Sequence, residues 1–334
     1  MDLDTLYAPI QTEMDDISTL IKEKIKKSQF QAINDIGSYL GESLGKQLRP
    51  ALMVFSMLSF ENSPAKIKHA IKIGAAIELI HMASLIHDDI LDKADIRHNK
   101  PTIVKKWGAD IAIPMGVYLY SLSLELIADT GNTDILHDVS RSVSAMCEGE
   151  IFQVDQRGNS LLSLEEYLGI LERKTGALFS TSCRCGAILA DQTVFIQDQM
   201  AQFGMNLGVL FQLTDDVLDI VDAEASLKKG GGQDFQLGEM TLPIILMTKD
   251  MTSQEKNQMD KLLARSDAAA LEELMRLVKF DMIISDIQKL LLTYEERAKD
   301  TLSHLSSSAY KDRLETVLRL VIQRAMCQLE TTHA

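Results

Sequence analysis

The chain has 334 residues, of which 46% are hydrophobic and 25% are charged, and its formal net charge is −14. This composition is that of a globular protein and argues against a disordered chain. The negative charge argues against a nucleic-acid-binding protein, which needs a basic surface to neutralise phosphates.

Helical periodicity runs along nearly the whole chain. None of the six prolines lies between Met115 and Leu242, which predicts long helices there. Ser63 and Pro64 read as the N-cap and first residue of a helix, and Ser163 with Glu166 reads as a capping box. Helix breaks are expected at 41–50 and 99–114, among others. With almost no strand signal, residues 1–334 are predicted to form one all-α domain.

The chain shows no sign of export or of membrane insertion. Two acids near the N-terminus stand where a signal peptide carries bases, and the longest uncharged run, 199–214, is too short and polar to span a bilayer. The four cysteines lack metal-binding or disulfide spacing. We therefore expect a cytoplasmic protein with reduced thiols and no transmembrane segment.

Two Asp-Asp-x-x-Asp motifs, at 88–92 and 215–219, end strongly apolar helical runs. Asp88 and Asp92 stand one turn apart on one helix face, as do Asp215 and Asp219. Because packing does not require like charges there, a bound divalent cation is the better explanation. Mg²⁺ suits such carboxylates when substrate phosphates complete its coordination. The alternative is that each motif is merely a solvated helix end.

Several basic or polar residues flank the acidic motifs and predict binding of a polyphosphate. His81 precedes Asp88 by two turns and shares its face, although a satisfied core histidine is the alternative. The basic candidates are Lys46, Arg49, Arg97, His98, Lys174, Lys228 and Lys229. No nucleophile motif, Walker loop or dinucleotide-binding loop is present. The pattern therefore favours ionisation of a diphosphate ester beside an apolar pocket.

These motifs resemble, in order and spacing, those of trans-isoprenyl diphosphate synthases, the polyprenyl synthetase family. The matching blocks are GKQLRP (45–50), Glu78–Asp92, KPT (100–102), EGE (148–150), Lys174–Thr175, Phe211–Asp219 and TLP (241–243). The resemblance covers nearly the whole chain. It implies the isoprenoid synthase fold, a single large bundle of long helices around a central cavity.

The resemblance also implies roles for individual residues. Metal binding falls to Asp88, Asp89, Asp92, Asp215, Asp216 and Asp219, with three Mg²⁺ ions bridging an allylic diphosphate. Arg97, Lys174, Thr175 and Gln212 would contact that substrate or its cation, with Lys229 as a further diphosphate ligand. Lys46, Arg49 and His81 would bind isopentenyl diphosphate, beside His98. The implied catalytic set is Asp88, Asp215, Lys174, Thr175 and Gln212.

The implied reaction is head-to-tail condensation of isopentenyl diphosphate with farnesyl or geranylgeranyl diphosphate. In the family, residues four and five before the first acidic motif line the product tunnel. Here they are Ser84 and Ala83, with Ile80 one turn deeper and no aromatic residue nearby. A long-chain all-trans product is therefore expected. Geranylgeranyl or farnesyl diphosphate is the shorter alternative.

Other assignments stay open. A class I terpene cyclase would share the acidic motifs, and a regulatory subunit of a heteromeric synthase would share the fold. The expected assembly is a homodimer, with a heteromer containing a small regulatory subunit as the alternative. Peripheral membrane contact could aid product release.

The chain departs from the family pattern at four places. Arg97-His98-Asn99 stands where Arg-Arg-Gly is usual, and Glu239 stands where a lysine is usual. Gln47 replaces a common arginine, and Val117 replaces an aspartate. No metal ligand is lost, so the departures bear on substrate affinity more than on activity.

Overall fold

The structure is a computed structural model that describes residues 3–225, 233–248, 251–265, 267–277 and 280–331. Almost all of these residues are helical, which confirms the predicted all-α class. Within the described ranges, the strands are β1 (Ile96–Arg97) and β2 (Lys100–Pro101), which pair antiparallel.

The helices follow one another along the chain with short connections. The first nine are α1 (Leu3–Tyr7), α2 (Gln11–Lys24), α3 (Gln31–Gly41), α4 (Leu48–Leu58), α5 (Pro64–Leu91), α6 (Ile103–Trp107), α7 (Ala109–Ala128), α8 (Thr133–Asp155) and α9 (Leu164–Leu171). After a π-helical turn at Glu172–Gly176 come α10 (Ala177–Leu189), α11 (Val194–Ala225), α12 (Gln233–Gln236), α13 (Leu242–Thr248), α14 (Ser253–Arg265), α15 (Ala268–Leu277), α16 (Phe280–Ser303) and α17 (Ala309–Thr331).

The backbone contacts divide the chain into two compact units. The first contains the described parts of Met1–Val143, Thr181–Ala201 and Leu305–Leu314. The second contains those of Ser144–Ser180, Gln202–His304 and Glu315–Ala334. The organisation as one domain over 1–334 stays a prediction.

Helix α5 is the centre of the first unit. It begins at Pro64 with Ser63 as N-cap, as predicted, and packs against α2, α4 and α7. Gly74 permits the close approach of α2, because a Cβ atom there would lie 2.7 Å from the Ile17 side chain. This packing holds the helix that carries the first acidic motif.

Two helices, α5 and α7, are long and apolar enough to cross a membrane by length and composition alone. In each helix an 18-residue stretch meets this test. The part of that stretch that is buried inside the protein is 67% in α5 and 44% in α7. Core helices of soluble proteins pass the same test, so the expectation of no transmembrane segment stays a prediction.

The second unit contains the capping box predicted at Ser163. The Ser163 side chain accepts from the Glu166 backbone N–H, and the Glu166 side chain accepts from the Ser163 N–H. These bonds satisfy backbone groups at the start of α9, which packs against the fully buried α13.

Both helix breaks named from the sequence are wrong at their ends, since α4 begins at Leu48 inside the predicted break at 41–50. Residues 99–114 were expected to be non-helical, but α7 begins at Ala109 and contains Pro114. The long non-helical segment ends instead at Thr102, and Gly108, whose φ is 83°, separates α6 from α7. Proline near a helix start removes one backbone hydrogen bond, a loss that the apolar packing of α7 against α5 outweighs.

We predict that Ser163→Ala lowers the free energy of unfolding by ~1 kcal/mol, because it removes an N-cap acceptor. Chemical unfolding followed by circular dichroism measures the change. Ser38→Ala is the control, since Ser38 is exposed and its hydroxyl donates to the carbonyl of Asn34 one turn earlier in the same helix. Equal midpoints for the two variants would show that the capping box adds nothing.

Candidate active site

The loop before α4 carries the first two basic candidates. Gly45 has φ 69° and Gln47 φ 49°, so two residues in three adopt the left-handed conformation. The side chain of Lys46 is exposed and that of Arg49, in the first turn of α4, is half-buried. The loop therefore presents one cation to solvent and draws the other towards the interior of the first unit.

A tight hairpin carries Arg97 and His98. His98 (φ 49°) and Asn99 (φ 61°) form the two-residue turn between β1 and β2, and such turns require positive φ at both positions. Asparagine tolerates this conformation well, which explains how Asn99 can stand where the family has glycine. Arg97 Nε donates to Asp89 Oδ1 at 2.7 Å and anchors the hairpin to α5.

Four of the predicted substrate-binding residues act on one another electrostatically within the first unit. Burial, together with the charges of Arg49, Arg97 and His98, lowers the pKa of His81 well below its usual value. His81 is therefore a neutral imidazole near pH 7. The arrangement brings Arg49, Arg97 and His98 close to the neutral imidazole of His81, a set of basic and hydrogen-bonding side chains that suits an anion.

Glu78 lies three residues before His81 on α5, close to this basic group. Its side chain is buried, and its Oε2 atom has no hydrogen-bond partner. Burial raises the pKa of Glu78 to about 7, against the opposing charge of Arg49. Below that pH, Glu78 is mostly protonated and opposes the charge of Arg49 less.

The first acidic motif ends α5. Asp88 and Asp92 are half-buried, and the Asp92 N–H donates to the Asp88 carbonyl at 2.8 Å, which places them one turn apart as predicted. Asp89 is buried, and its pKa is raised by that burial although Arg97 opposes the shift. Two carboxylates are thus partly exposed, whereas Asp89 is buried against Arg97.

The predicted chain-length residues lie on the same helix. Ile80 and Ala83 are 3% and 6% exposed, and Ser84 is half-buried with its hydroxyl donating to the His81 carbonyl. Their small or aliphatic side chains leave this stretch of α5 without an aromatic ring.

In the second unit, a π-helical turn places Lys174 and Thr175. Lys174 Nζ lies 2.7 Å from Glu150 Oε2, which supplies the partner that a largely buried lysine needs. A Cβ atom at Gly176 would lie 2.4 Å from Met205 Sδ, so glycine allows the turn to approach α11 closely. That approach lets the Thr175 hydroxyl donate to Gln212 Oε1 at 3.0 Å.

The second acidic motif lies on α11 and is surrounded by donors. Asp216 is buried and accepts hydrogen bonds from Gln212 Nε2 (2.9 Å) and Tyr167 Oη (2.5 Å). Burial raises its pKa to about 6, although these bonds oppose the shift. Asp215, which is half-buried, accepts from Arg324 Nη1 at 2.7 Å.

Two further carboxylates stand near this motif. Burial and the charges of Asp216, Asp219 and Glu239 raise the pKa of Asp234 well above its usual value. Glu239 is itself buried and accepts from both Arg157 Nε (3.1 Å) and Nη2 (2.8 Å). Glu239 stands where the family usually has a lysine, and its negative charge is thus neutralised by Arg157.

The donor types fit a hard divalent ion. Both motifs offer carboxylate oxygens, the ligands that Mg²⁺ prefers. Among the residues that the structure describes, however, no three His, Cys, Asp or Glu side chains already form a metal site. Arg97 and Arg324 lie against Asp89 and Asp215, so an incoming ion competes with them.

The structure thus gathers the predicted residues into two groups. Asp88, Asp89, Asp92, Lys46, Arg49, His81, Arg97 and His98 belong to the first unit, whereas Lys174, Thr175, Gln212, Asp215, Asp216 and Asp219 belong to the second. Lys228 and Lys229 lie outside the described residues. Each group combines carboxylates with at least one cation.

Sequence reasoning missed four residues in these groups. Tyr167 reads as an apolar helix position, yet its hydroxyl binds Asp216 across 49 residues. Arg324 lies 109 residues from Asp215 and carries no motif that predicts the contact. Glu78 and Glu150 belong to quoted motifs, but the effect of Arg49 on Glu78 and the ion pair of Glu150 with Lys174 depend on the folded structure.

The sequence of the chain is similar to those of known proteins. Residues 30–280 match the family model described as polyprenyl synthetase. Component 2 of the heptaprenyl diphosphate synthase from Geobacillus stearothermophilus is 32% identical over 250 residues, which cover 75% of this chain and 77% of that protein.

Solved structures give the same picture. The decaprenyl diphosphate synthase from Rhodobacter capsulatus is 25% identical and matches with a TM-score of 0.90, covering 97% of this chain and 99% of its own. A polyprenyl synthase from Caulobacter crescentus, complexed with calcium and isoprenyl diphosphate, is 27% identical and has a TM-score of 0.89, with 97% and 98% covered. These similarities extend along nearly the whole chain.

We predict that Glu78→Gln removes a pH dependence of stability. The raised pKa means that the protonated carboxyl favours the folded state, so this stabilisation is present below pH 4.5 and is lost as pH rises through about 7. Between pH 5 and 8, the wild type should lose about 1–3 kcal/mol of unfolding free energy relative to Glu78→Gln.

Urea unfolding at both pH values measures this difference. The control is Glu23→Gln, which alters an exposed glutamate on α2 and should preserve the wild-type pH dependence. Parallel curves for the wild type and Glu78→Gln would contradict the prediction.

Proposed function

Because this chain belongs to the polyprenyl synthetase family, we propose that it condenses isopentenyl diphosphate with an allylic diphosphate to make a long-chain all-trans polyprenyl diphosphate. The observation that carries the proposal is that both acidic motifs lie beside the basic and polar side chains that such substrates need. The allylic primer proposed is farnesyl or geranylgeranyl diphosphate.

In this proposal, Asp88, Asp92 and Asp215 hold Mg²⁺, with Asp89, Asp216 and Asp219 completing the acidic motifs. Three ions per site are proposed. When bound, the metal withdraws charge from the allylic diphosphate and makes it a better leaving group. Arg97 and Arg324 counter the charge of Asp89 and Asp215 before the ion arrives.

The second unit supplies the groups proposed to face the allylic substrate. Lys174, held by Glu150, offers a cation to the departing diphosphate. Thr175 and Gln212 are held by their mutual hydrogen bond, and Gln212 also donates to Asp216. The allylic C–O bond breaks with both electrons on the diphosphate oxygen. The allylic cation that remains is stabilised by oxygen atoms of Thr175 and Gln212.

The first unit supplies the groups proposed to hold isopentenyl diphosphate. Lys46 and Arg49 carry the positive charge, and the neutral His81 offers a directional hydrogen bond, whereas Arg97 is proposed to contact the allylic substrate. The C4 alkene carbon attacks the allylic cation, a carbon–carbon bond forms, and the released diphosphate accepts the proton. Lys229 and His98 are proposed as further diphosphate contacts.

A homodimer is part of the proposal. Ile111, Ile113 and Val117 on α7 are 41%, 51% and 56% exposed, an apolar face that a second copy would cover. The second candidate is a heteromer, which the name of the Geobacillus relative as one component of a synthase favours. A cytoplasmic location with peripheral membrane contact for product release completes the proposal.

Product analysis of the purified chain tests this function. We expect long-chain product from farnesyl diphosphate, isopentenyl diphosphate and Mg²⁺, and none without isopentenyl diphosphate. A cyclic hydrocarbon formed without it would indicate a terpene cyclase instead. Activity that arises only after adding a second polypeptide would favour the heteromer.

Asp88→Asn and Asp215→Asn should each reduce the rate by on the order of 100-fold or more, because each removes a metal ligand. Asp134→Asn, which changes an exposed aspartate at the start of α8, is the matched control. Chelation of the metal should abolish turnover in the wild type. Near-normal rates in either acidic-motif variant would contradict the assignment.

Ala83→Phe should shorten the product, because the ring would obstruct the space beside α5 that the growing chain is proposed to occupy. Chromatography of the dephosphorylated products measures the length. Ala65→Phe makes the same change at an exposed site on the same helix and should leave the length unaltered. If Ala83→Phe unfolds the protein, Ser84→Phe at the half-buried neighbour replaces it, and unchanged length in a folded variant refutes the assignment.

A further inference from the structure

The loop that carries Lys46 is bonded to the N-terminal helices. Tyr7, at the end of α1, donates from its hydroxyl to the backbone carbonyl of Lys46 at 2.9 Å. The tyrosine is buried, and its ring centroid lies 6.5 Å from that of Phe55 on α4. Burial and the nearby charge of Glu78 raise the pKa of Tyr7, so its hydroxyl keeps the proton that it donates.

A second bond acts on the next residue of the loop. Ser18 on α2 donates from Oγ to Gln47 Oε1 at 2.8 Å. Gln47 adopts φ 49° and ψ 40°, a left-handed conformation that costs free energy in a residue with a side chain. Its Nε2 atom is buried without a hydrogen-bond partner. The side-chain contact with Ser18 therefore helps to hold a backbone conformation that Gln47 would not adopt by preference.

The helices that make these bonds are themselves fixed. Met14, Ile17 and Ile21 of α2 are buried, and α2 packs against α5. Both Tyr7 and Ser18 precede residue 30, where the match to the family model begins. The support for the loop thus comes from a segment outside the residues that match the family model.

We propose that Tyr7 and Ser18 are positioning residues that fix the backbone of Lys46 and Gln47, so that Lys46 and Arg49 meet the diphosphate of isopentenyl diphosphate together. This inference rests on the proposed function. Neither hydroxyl contacts the substrate. They act by keeping the loop in one conformation before binding, which reduces the entropy lost when the anion is bound.

The test combines Tyr7→Phe and Ser18→Ala, singly and together. Each removes one hydroxyl, and each should raise the KM for isopentenyl diphosphate by ~3- to 10-fold, with the double variant higher than either. The kcat and the KM for the allylic substrate should change by less than about 2-fold, which is less than the loss of one typical hydrogen bond to the substrate would cause. Hydrogen exchange at the amides of residues 45–49 should accelerate in the double variant.

The controls are Tyr294→Phe, a buried tyrosine in the second unit, and Ser38→Ala. Neither should alter loop exchange or the KM for isopentenyl diphosphate. Unchanged exchange in the double variant would overturn the inference, as would faster exchange with an unchanged KM. A fall in kcat with a rise in both KM values by similar factors and a lowered Tm would also overturn it, because this would indicate a merely structural role.

A binding measurement separates this inference from the proposed function. Titration calorimetry with inorganic pyrophosphate in metal-free buffer tests the basic loop without catalysis. Wild-type binding that is weakened in the double variant supports the positioning role even if no condensation is detected. Equal binding by the wild type and the double variant overturns it, whatever the activity.

Discussion

The repulsion among carboxylates on two apolar helices, α5 and α11, is the constraint on which the candidate site depends. Three aspartates within five residues, twice over, cannot remain near a buried face without compensation. In the structure, Arg97 pairs with Asp89, Arg324 pairs with Asp215, and Tyr167 and Gln212 donate to Asp216. A divalent ion could relieve the same repulsion, but at Asp89 and Asp215 it would have to displace an arginine.

Close helix packing makes these polar contacts possible. Gly208 would place a Cβ atom 2.9 Å from the Gly176 Cα atom, so two glycines allow α11 and the π-helical turn to touch. Thr175 reaches Gln212 only because the backbones approach this closely. The apolar sequence that buries the helices and the small residues within it therefore determine where the polar groups meet.

Local features of the fold were predictable from the sequence, whereas long-range partners were not. The all-α class, the start of α5 at Pro64 and the capping box at Ser163 depend on neighbouring residues and are confirmed. The family and its prenyltransferase class are confirmed by the comparisons, since the motifs retain their order and spacing. The contacts of Arg324 and Tyr167 depend on tertiary packing, and the roles of the metal and substrate residues stay predictions.

The departures from the family pattern show why a motif mismatch is a poor guide to lost function. Glu239 replaces a lysine, yet Arg157 binds it through two nitrogens and removes the excess charge. A buried carboxylate without a partner would cost free energy, so the effect of Glu239 depends on Arg157. Gln47 likewise replaces an arginine. Its side chain accepts a hydrogen bond from Ser18, on a helix outside the residues that match the family model. In both cases the replacement and its partner are distant in sequence and adjacent in the fold, so the effect of either residue can be judged only with the other present.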